Sequence, residues 1–411
     1  MLLINIRQLF KNSLWPAILV SALGYLVDVY DIVLFTAVRV PSLKALSITG
    51  DELTSIGLRL IQIQLLGMVV GGIIWGMIGD KRGRLSVLFG SIILYSSANL
   101  ANAFVQGVQV YAVLRFIAGF GLAGELGAGV TLVSEMMSKE NRGYGTMIIA
   151  SSGVFGGIAG GLVGDLFSWR TAYFVGGAMG FVLLVLRAGV NESGLFTAIK
   201  RKEVEKGKLS MFIRSPQLFG RYLRCLFVGM PIWVLIGLFM TLAPEIGKAM
   251  NIQGEVSAGR AILLFNVGLG LGDLSSSLLS QRLKSRKSPA MIFLSLTAIF
   301  LGGYLSMRSA SAELFYFMCA LLGFGSGYWA IFIMIASEQF GTNLRATATT
   351  SIPNMVRGLA IPASLILASI KPHLGILRSL ALISAASITA AFVSLYSLTE
   401  TFATSLDFLE E

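Results

Sequence analysis

Apolar runs of about 20 residues recur along the chain, parted by short polar breaks, and a helix rising about 1.5 Å per residue needs that length to cross a bilayer's hydrocarbon core. The pattern predicts spans at 14–38, 55–79, 84–104, 108–136, 144–167 and 170–189, then at 222–246, 258–281, 288–307, 313–338, 347–369 and 374–397. Between the two sets lies the longest polar stretch, NESGLFTAIKRKEVEKGKLSMFIRSPQLFGR, carrying Lys200, Arg201, Lys202, Lys206, Lys208 and Arg214. The reading is an all-α membrane protein of 12 transmembrane helices in two pseudo-symmetric six-helix bundles. The N-terminal bundle is expected over 1–189, a cytoplasmic linker over 190–220, and the C-terminal bundle over 221–411, ending in a short acidic cytoplasmic tail.

Composition narrows the class. Of 411 residues 55% are hydrophobic and 13% charged, and a mean hydropathy of +0.78 leaves too little polar surface to cover a soluble globule. Placing the N-terminus in the cytoplasm puts 20 of the 32 Lys and Arg in cytoplasmic segments or towards the cytoplasmic ends of spans, against 9 outside or towards the outer ends and 3 counted within spans (Arg115, Arg187, Arg357). The positive-inside rule therefore sets the orientation, with both termini cytoplasmic. It also accounts for the net charge of +11 without any nucleic acid. Arg7 and Lys11 precede a long run bearing two aspartates, which suits a retained first helix better than a cleaved leader. The lone His373 and the isolated Cys225 and Cys319 build neither a metal site nor a disulfide framework. With no nucleophile motif either, neither enzyme activity nor a cofactor is expected.

The two halves echo each other, as transporter repeats do. GFGLAGELGAGVTLVSEMMSKENRG in the fourth span is answered by GFGSGYWAIFIMIASEQFGTNLRA in the tenth. Glu135 precedes Arg142 by seven residues, and Glu338 precedes Arg345 by the same seven. The glycine pairs upstream, Gly119 with Gly121 and Gly323 with Gly325, match after a one-residue slip.

The loop GMIGDKRGRL, Gly76 to Leu85, resembles the signature G-x-x-x-D-[RK]-x-G-R of the major facilitator superfamily. Gly76 permits close helix approach, Gly83 turns the chain, and Asp80 with Arg84 can make charge contacts. The resemblance implies that these residues, with Glu135, Arg142, Glu338 and Arg345, form a gate that holds the inside closed in an outward-open state. In the second half, SQRLKSRKS keeps the basic charge but has Gln281 where the acid stands. An asymmetric gate follows. The fourth span begins RFIAGFGLAGEL, similar to the superfamily's R-x-x-x-G-x-G; its G-x-G-x-x-G lies inside an apolar helix and does not indicate dinucleotide binding. Asp28-Val29-Tyr30-Asp31, Pro41 and Gly124-Glu125 resemble the metabolite:proton and aromatic-acid:proton symporter branches, although Val29 replaces a usual glycine. That resemblance implies a secondary transporter working by alternating access, a monomer in a bacterial inner membrane, with protons, a small-molecule substrate and the lipid bilayer as partners. Proton-coupled uptake of a small organic anion or amino-acid-like metabolite is the leading reading. Export of a metabolite, drug or metallophore is the alternative, although the fifth span, GVFGGIAGGLVG, lacks the proline typical of drug antiporters.

Two aspartates inside a span raise their own question, because a charge facing lipid is expensive. Asp28 and Asp31 lie three apart on one helix face, which must turn inward. Arg115 reaches a comparable depth, so it is expected to pair with one of them. Two outcomes stay open: the charges only tie span 1 to span 4, or one aspartate carries the coupling proton. Glu125 is either a second proton stop or a gate contact. Arg357 lies near the midplane of span 11 with Asn354 on its face, beside Pro353 and Pro362. It either reads a substrate's negative charge or pairs with Asp273. Gln64, Asn266, Tyr328 and Trp329 fall at similar depths and are candidates for lining the substrate cavity.

Overall fold

The computed structural model describes residues 14–200 and 205–410; Arg7, Lys11, Arg201 and Lys202 lie outside them. Among the described residues the chain is a succession of helices. The first half holds α1 (Leu14–Ala45), α2 (Asp51–Arg82), α3 (Arg84–Asn102), α4 (Val108–Leu122), α5 (Glu125–Met136), α6 (Arg142–Leu166) and α7 (Trp169–Leu186), which runs into a 3₁₀ turn at Arg187–Gly189. Two short helices follow, α8 (Gly194–Lys200) and α9 (Leu209–Arg214). The second half holds α10 (Pro216–Val234), continued by a π turn at Leu235–Met240, α11 (Ala243–Ala249), α12 (Ala258–Leu283), α13 (Lys287–Ser306), α14 (Ala312–Gly325), α15 (Trp329–Glu338), α16 (Arg345–Gly358) and α17 (Ala360–Ser397).

Among the described residues eleven helical stretches are long and apolar enough to cross a membrane. The last, Arg345–Ser397, has 53 residues, roughly twice what one crossing takes. It breaks where the local chemistry demands. Pro362 has no N–H to offer the carbonyl of Gly358, and the helix interrupts at Leu359 between them. Gly375, at φ 73°, then turns the chain at the boundary expected between spans 11 and 12. The count is thus consistent with twelve spans. The fourth and tenth spans are each split, at Ala123–Gly124 and at Ser326–Tyr328, within their repeated glycine motifs. Helix starts carry their signals: Ser168, Ser215 and Ser311 accept the N–H of Thr171, Leu218 and Leu314.

The described residues fall into two compact units. One takes the chain up to Met211 together with Ser337–Asn354 and the tail from Ala403; the other takes Phe212–Ala336 and Met355–Phe402. In the first unit α1 packs on α6, α2 on α4 and α3 on α7; in the second, α12 packs on α14 and α10 on α17. The approaches are backbone to backbone. A Cβ on Gly119 would strike the carbonyl of Gln64, and one on Gly323 that of Phe265, so small residues give the close contacts that lipid-embedded helices rely on. Bulky apolar side chains such as Leu166, Val185, Ile299 and Val393 stand exposed on the helix exteriors, where hydrocarbon is their natural solvent.

Candidate functional site

In the first unit Arg115 Nη2 donates to Asp31 Oδ2 at 2.8 Å, and both side chains are fully buried. The same oxygen accepts Gln64 Nε2 at 3.2 Å, which ties a residue expected along the substrate cavity to the charge pair. Arg115 lies over the rings of Phe35 and Tyr173 and donates Nη1 to the Tyr173 hydroxyl at 3.3 Å. Asp31 Oδ1 accepts no hydrogen bond among the described residues, leaving a lone pair where a proton can land. Asp28, one turn earlier in α1, is likewise fully buried.

Glu125, at the start of α5, has a partner that no spacing suggested. Both its oxygens take the guanidinium of Arg187, Oε1 at 3.0 Å from Nη1 and Oε2 from Nη2, and Ser91 Oγ donates to Oε1 at 2.7 Å. The pair rests on Gly24, where a Cβ would sit 2.6 Å from Glu125 Oε2. Arg187 is held by the carbonyl of Leu88 as well.

A third cluster gathers around the loop signature. Gly83 adopts φ 105°, open to glycine alone at little cost, and a Cβ on Gly76 would lie 2.7 Å from Thr347 Cα. Asp80 accepts the N–H of Ala346 and Thr347 at 2.9 Å each and the Thr347 hydroxyl at 2.7 Å, so a carboxylate caps the positive end of α16. Arg84 lies 3.6 Å from Asp80 and grips both oxygens of Glu135. The repeated Glu and Arg pairs cross over: Arg345 bonds Glu135 at 2.9 Å, and Arg142 bonds Glu338 at 2.6 Å. The tail closes the cluster, with the carbonyls of Thr404 and Leu406 accepting from Arg142 and Arg345.

Two carboxylates just past the spans are shifted in opposite directions. Burial raises Glu192 above the usual carboxylate range although it accepts the N–H of Leu85 and Ser193. Burial pushes Glu400 the same way, but Ser285 Oγ and the N–H of Arg286, Phe402 and Lys287 outweigh it and hold that carboxyl low. Glu400 thus meets the second-half loop at Ser285, Arg286 and Lys287, as Glu192 meets the first-half loop at Leu85.

In the second unit the guanidinium of Arg357 lies 5.7 Å from the ring of Trp233 and 6.0 Å from that of Trp329, inside cation–π reach. The two indoles are 6.4 Å apart, and Phe332 stands 5.1 Å from Trp329. Asp273 accepts the N–H of Ala330 at 3.1 Å and caps α15. Tyr328 donates to the carbonyl of Val228 at 3.1 Å, and Asn266 to Ile262 in its own helix at 2.9 Å. Asn354, in the first unit, donates to the carbonyls of Ala123 and Thr350. Of the residues expected to line a cavity, Trp329 stands within cation–π reach of Arg357.

Repeated membrane-length helices, split at midspan and carrying buried charge pairs, define a polytopic transporter. The family model described as Major Facilitator Superfamily matches residues 14–365, and the chain belongs to that superfamily. It is 25% identical over 381 residues to the niacin transporter of Acinetobacter baylyi, covering 84% of each chain. It is 27% identical over 214 residues to the benzoate transport protein of the same organism, covering 49% of this chain and 45% of that one. Its fold superposes on the proton:xylose symporter bound to 6-bromo-6-deoxy-D-glucose with a TM-score of 0.75 at 17% identity, covering 96% of this chain and 97% of the other. The protein is a multi-pass membrane transporter of small molecules and not an enzyme.

Proposed function

We propose that the protein takes up a small organic anion together with protons, by alternating access, across a bacterial inner membrane. The observation that carries this reading is the buried Arg115–Asp31 pair at 2.8 Å, in which Asp31 keeps its Oδ1 without a hydrogen bond among the described residues. Protonation removes the charge on Asp31 and with it the hold on Arg115, which gives the proton a mechanical consequence. The substrate half of the reading is supported by Arg357 between Trp233 and Trp329. A guanidinium pairs a carboxylate bidentately, and indole faces suit a flat ring. The relatives named for niacin and benzoate carry ring carboxylates, which fits that pocket chemistry.

The working arrangement is a monomer of two six-helix halves, 1–189 and 221–411, joined by the linker 190–220. Both termini face the cytoplasm, so the network of Asp80, Arg84, Glu135, Arg142, Glu338 and Arg345 serves as the inner gate.

Proteoliposome uptake of radiolabelled niacin and benzoate, with and without an inward proton gradient, tests the reading. Gradient-dependent accumulation of one of them, weakened by Arg357→Lys because an ammonium cannot copy the planar fork, supports it. Uptake indifferent to the gradient refutes the coupling, and normal uptake by a folded Arg357→Ala refutes the anion site.

A further inference from the structure

The tenth span breaks at Ser326–Tyr328, and a helix that restarts inside a bilayer presents N–H groups with no carbonyl of its own to meet them. Lipid cannot answer them, so the fold must. Glycines bring the answer close. A Cβ on Gly272 would strike the carbonyl of Phe324, and one on Gly327 would strike the backbone of Gly272 and the nitrogen of Asp273. The break in span 10 is thereby pressed against α12 at the residue where α12 carries a carboxylate.

Asp273 is buried and accepts the N–H of Trp329 and of Ala330, the first two residues of α15, the latter at 3.1 Å to Oδ1. Its negative charge also meets the positive end of that helix. A second tie comes from Tyr328, the last residue of the break, whose hydroxyl donates to the carbonyl of Val228 at 3.1 Å; Val228 shares α10 with Trp233. The residue held between these ties is Trp329, whose ring lies 6.0 Å from the Arg357 guanidinium and 6.4 Å from the ring of Trp233. Of these three, Trp329 alone stands at the first position of its helix, whereas Trp233 and Arg357 lie near the ends of α10 and α16. Where its indole points therefore depends on what the helix start is tied to.

We infer that Asp273 and Tyr328 are positioning residues of the substrate site, fixing the start of α15 so that the Trp329 indole stands beside Arg357. The inference deepens the anion-site reading above and rests on it. Neither residue has to touch the substrate. A cation–π contact fades as the ring leaves the cation, and a ring carboxylate is held best where guanidinium and indole are already in place before it arrives.

The ordinary alternative is that both bonds only satisfy the break and stabilise the fold. The two roles separate in the full-length protein reconstituted in proteoliposomes, with radiolabelled niacin and benzoate as probes. Asp273→Asn keeps the shape and one accepting oxygen but gives up the charge and one of the two bonds; Tyr328→Phe keeps the ring and gives up the tie to Val228. Positioning predicts that both raise KM for the transported probe, Asp273→Asn by about tenfold, while the maximal rate stays near wild type. It also predicts a change with no ligand present: the share of tryptophan emission that Trp329→Phe removes should move to longer wavelength in both variants. Should Asp273→Asn fail to fold, Tyr328→Phe carries the same test. An unchanged KM, or a Trp329 emission that neither variant moves, overturns the inference, and so does a loss of maximal rate and melting temperature at constant KM. Wild type that takes up neither probe overturns the anion-site reading instead, while the ligand-free emission still tells whether Asp273 and Tyr328 hold Trp329.

Discussion

Arg142 donates to Glu338 at 2.6 Å although 196 residues separate them. The reciprocal bond, Arg345 to Glu135, joins the same two repeats in the opposite sense. Each repeat thus helps satisfy the charge of the other. Removing one member leaves a buried charge without its counter-ion, at a cost of about 3–5 kcal/mol. Glu338→Gln should therefore lower the melting temperature in detergent markedly, and combining it with Arg142→Gln should recover part of the loss. A double variant no more stable than the single would show that the pair is not the relevant contact.

Asp80 predicts a change of state more than of stability. Its carboxylate takes two N–H groups and a hydroxyl at the start of α16. Asp80→Asn keeps the shape but loses the charge that faces the helix dipole, worth about 0.3–2 kcal/mol. The population should shift towards inward-open, read as faster labelling of cysteines engineered next to Ala346. Labelling at the wild-type rate would reduce the loop signature to a topological signal.

The tail is a third handle on the same cluster. Thr404 and Leu406 lend carbonyls to Arg142 and Arg345, Thr342 donates its hydroxyl to Leu406, and Asn343 pairs with the backbone of Glu410. Ending the chain after Phe402 removes all of these partners together. The truncated protein should insert normally yet label faster at the same cysteines, and a truncation that labels like full-length protein would show the tail to be a passenger.

Glu400 allows a pH prediction. Its folded pKa is held low by four donors that outweigh burial, so it adds stability that is complete above the unfolded value of about 4.3 and is lost as pH falls through the folded value. As pH falls below the unfolded value of about 4.3, the melting temperature of wild type should fall more steeply than that of Glu400→Gln. Parallel curves would contradict the assignment. Glu400 is half exposed, so the difference is small beside that of the buried pairs.

Much of this was legible in the chain. Apolar length alone placed the spans to within a few residues, and Pro362 and Gly375 are visible reasons for the breaks in the long last stretch. The loop signature named Asp80 and Arg84, and helix periodicity set Asp28 and Asp31 on an inward face. Partners were the harder part. A spacing of seven between Glu135 and Arg142 says nothing about which arginine each glutamate meets across the fold. Arg187 was noted only as a charge inside a span, because its partner Glu125 lies 62 residues away. Depth alone groups Gln64 with Arg357, and the sequence gives no sign of its bond to Asp31. Glu400 carries no such signal in the sequence, because the loop residues it meets, Ser285, Arg286 and Lys287, lie 113–115 residues away.

The central claim is that Asp31 carries the coupling proton. Asp31→Asn fixes that position in its neutral form, so it should abolish accumulation of labelled niacin or benzoate against a gradient in proteoliposomes. Counterflow at equal pH should persist, because alternating access no longer waits for the proton. Accumulation by folded Asp31→Asn at the wild-type level, under the same inward proton gradient, would contradict the account.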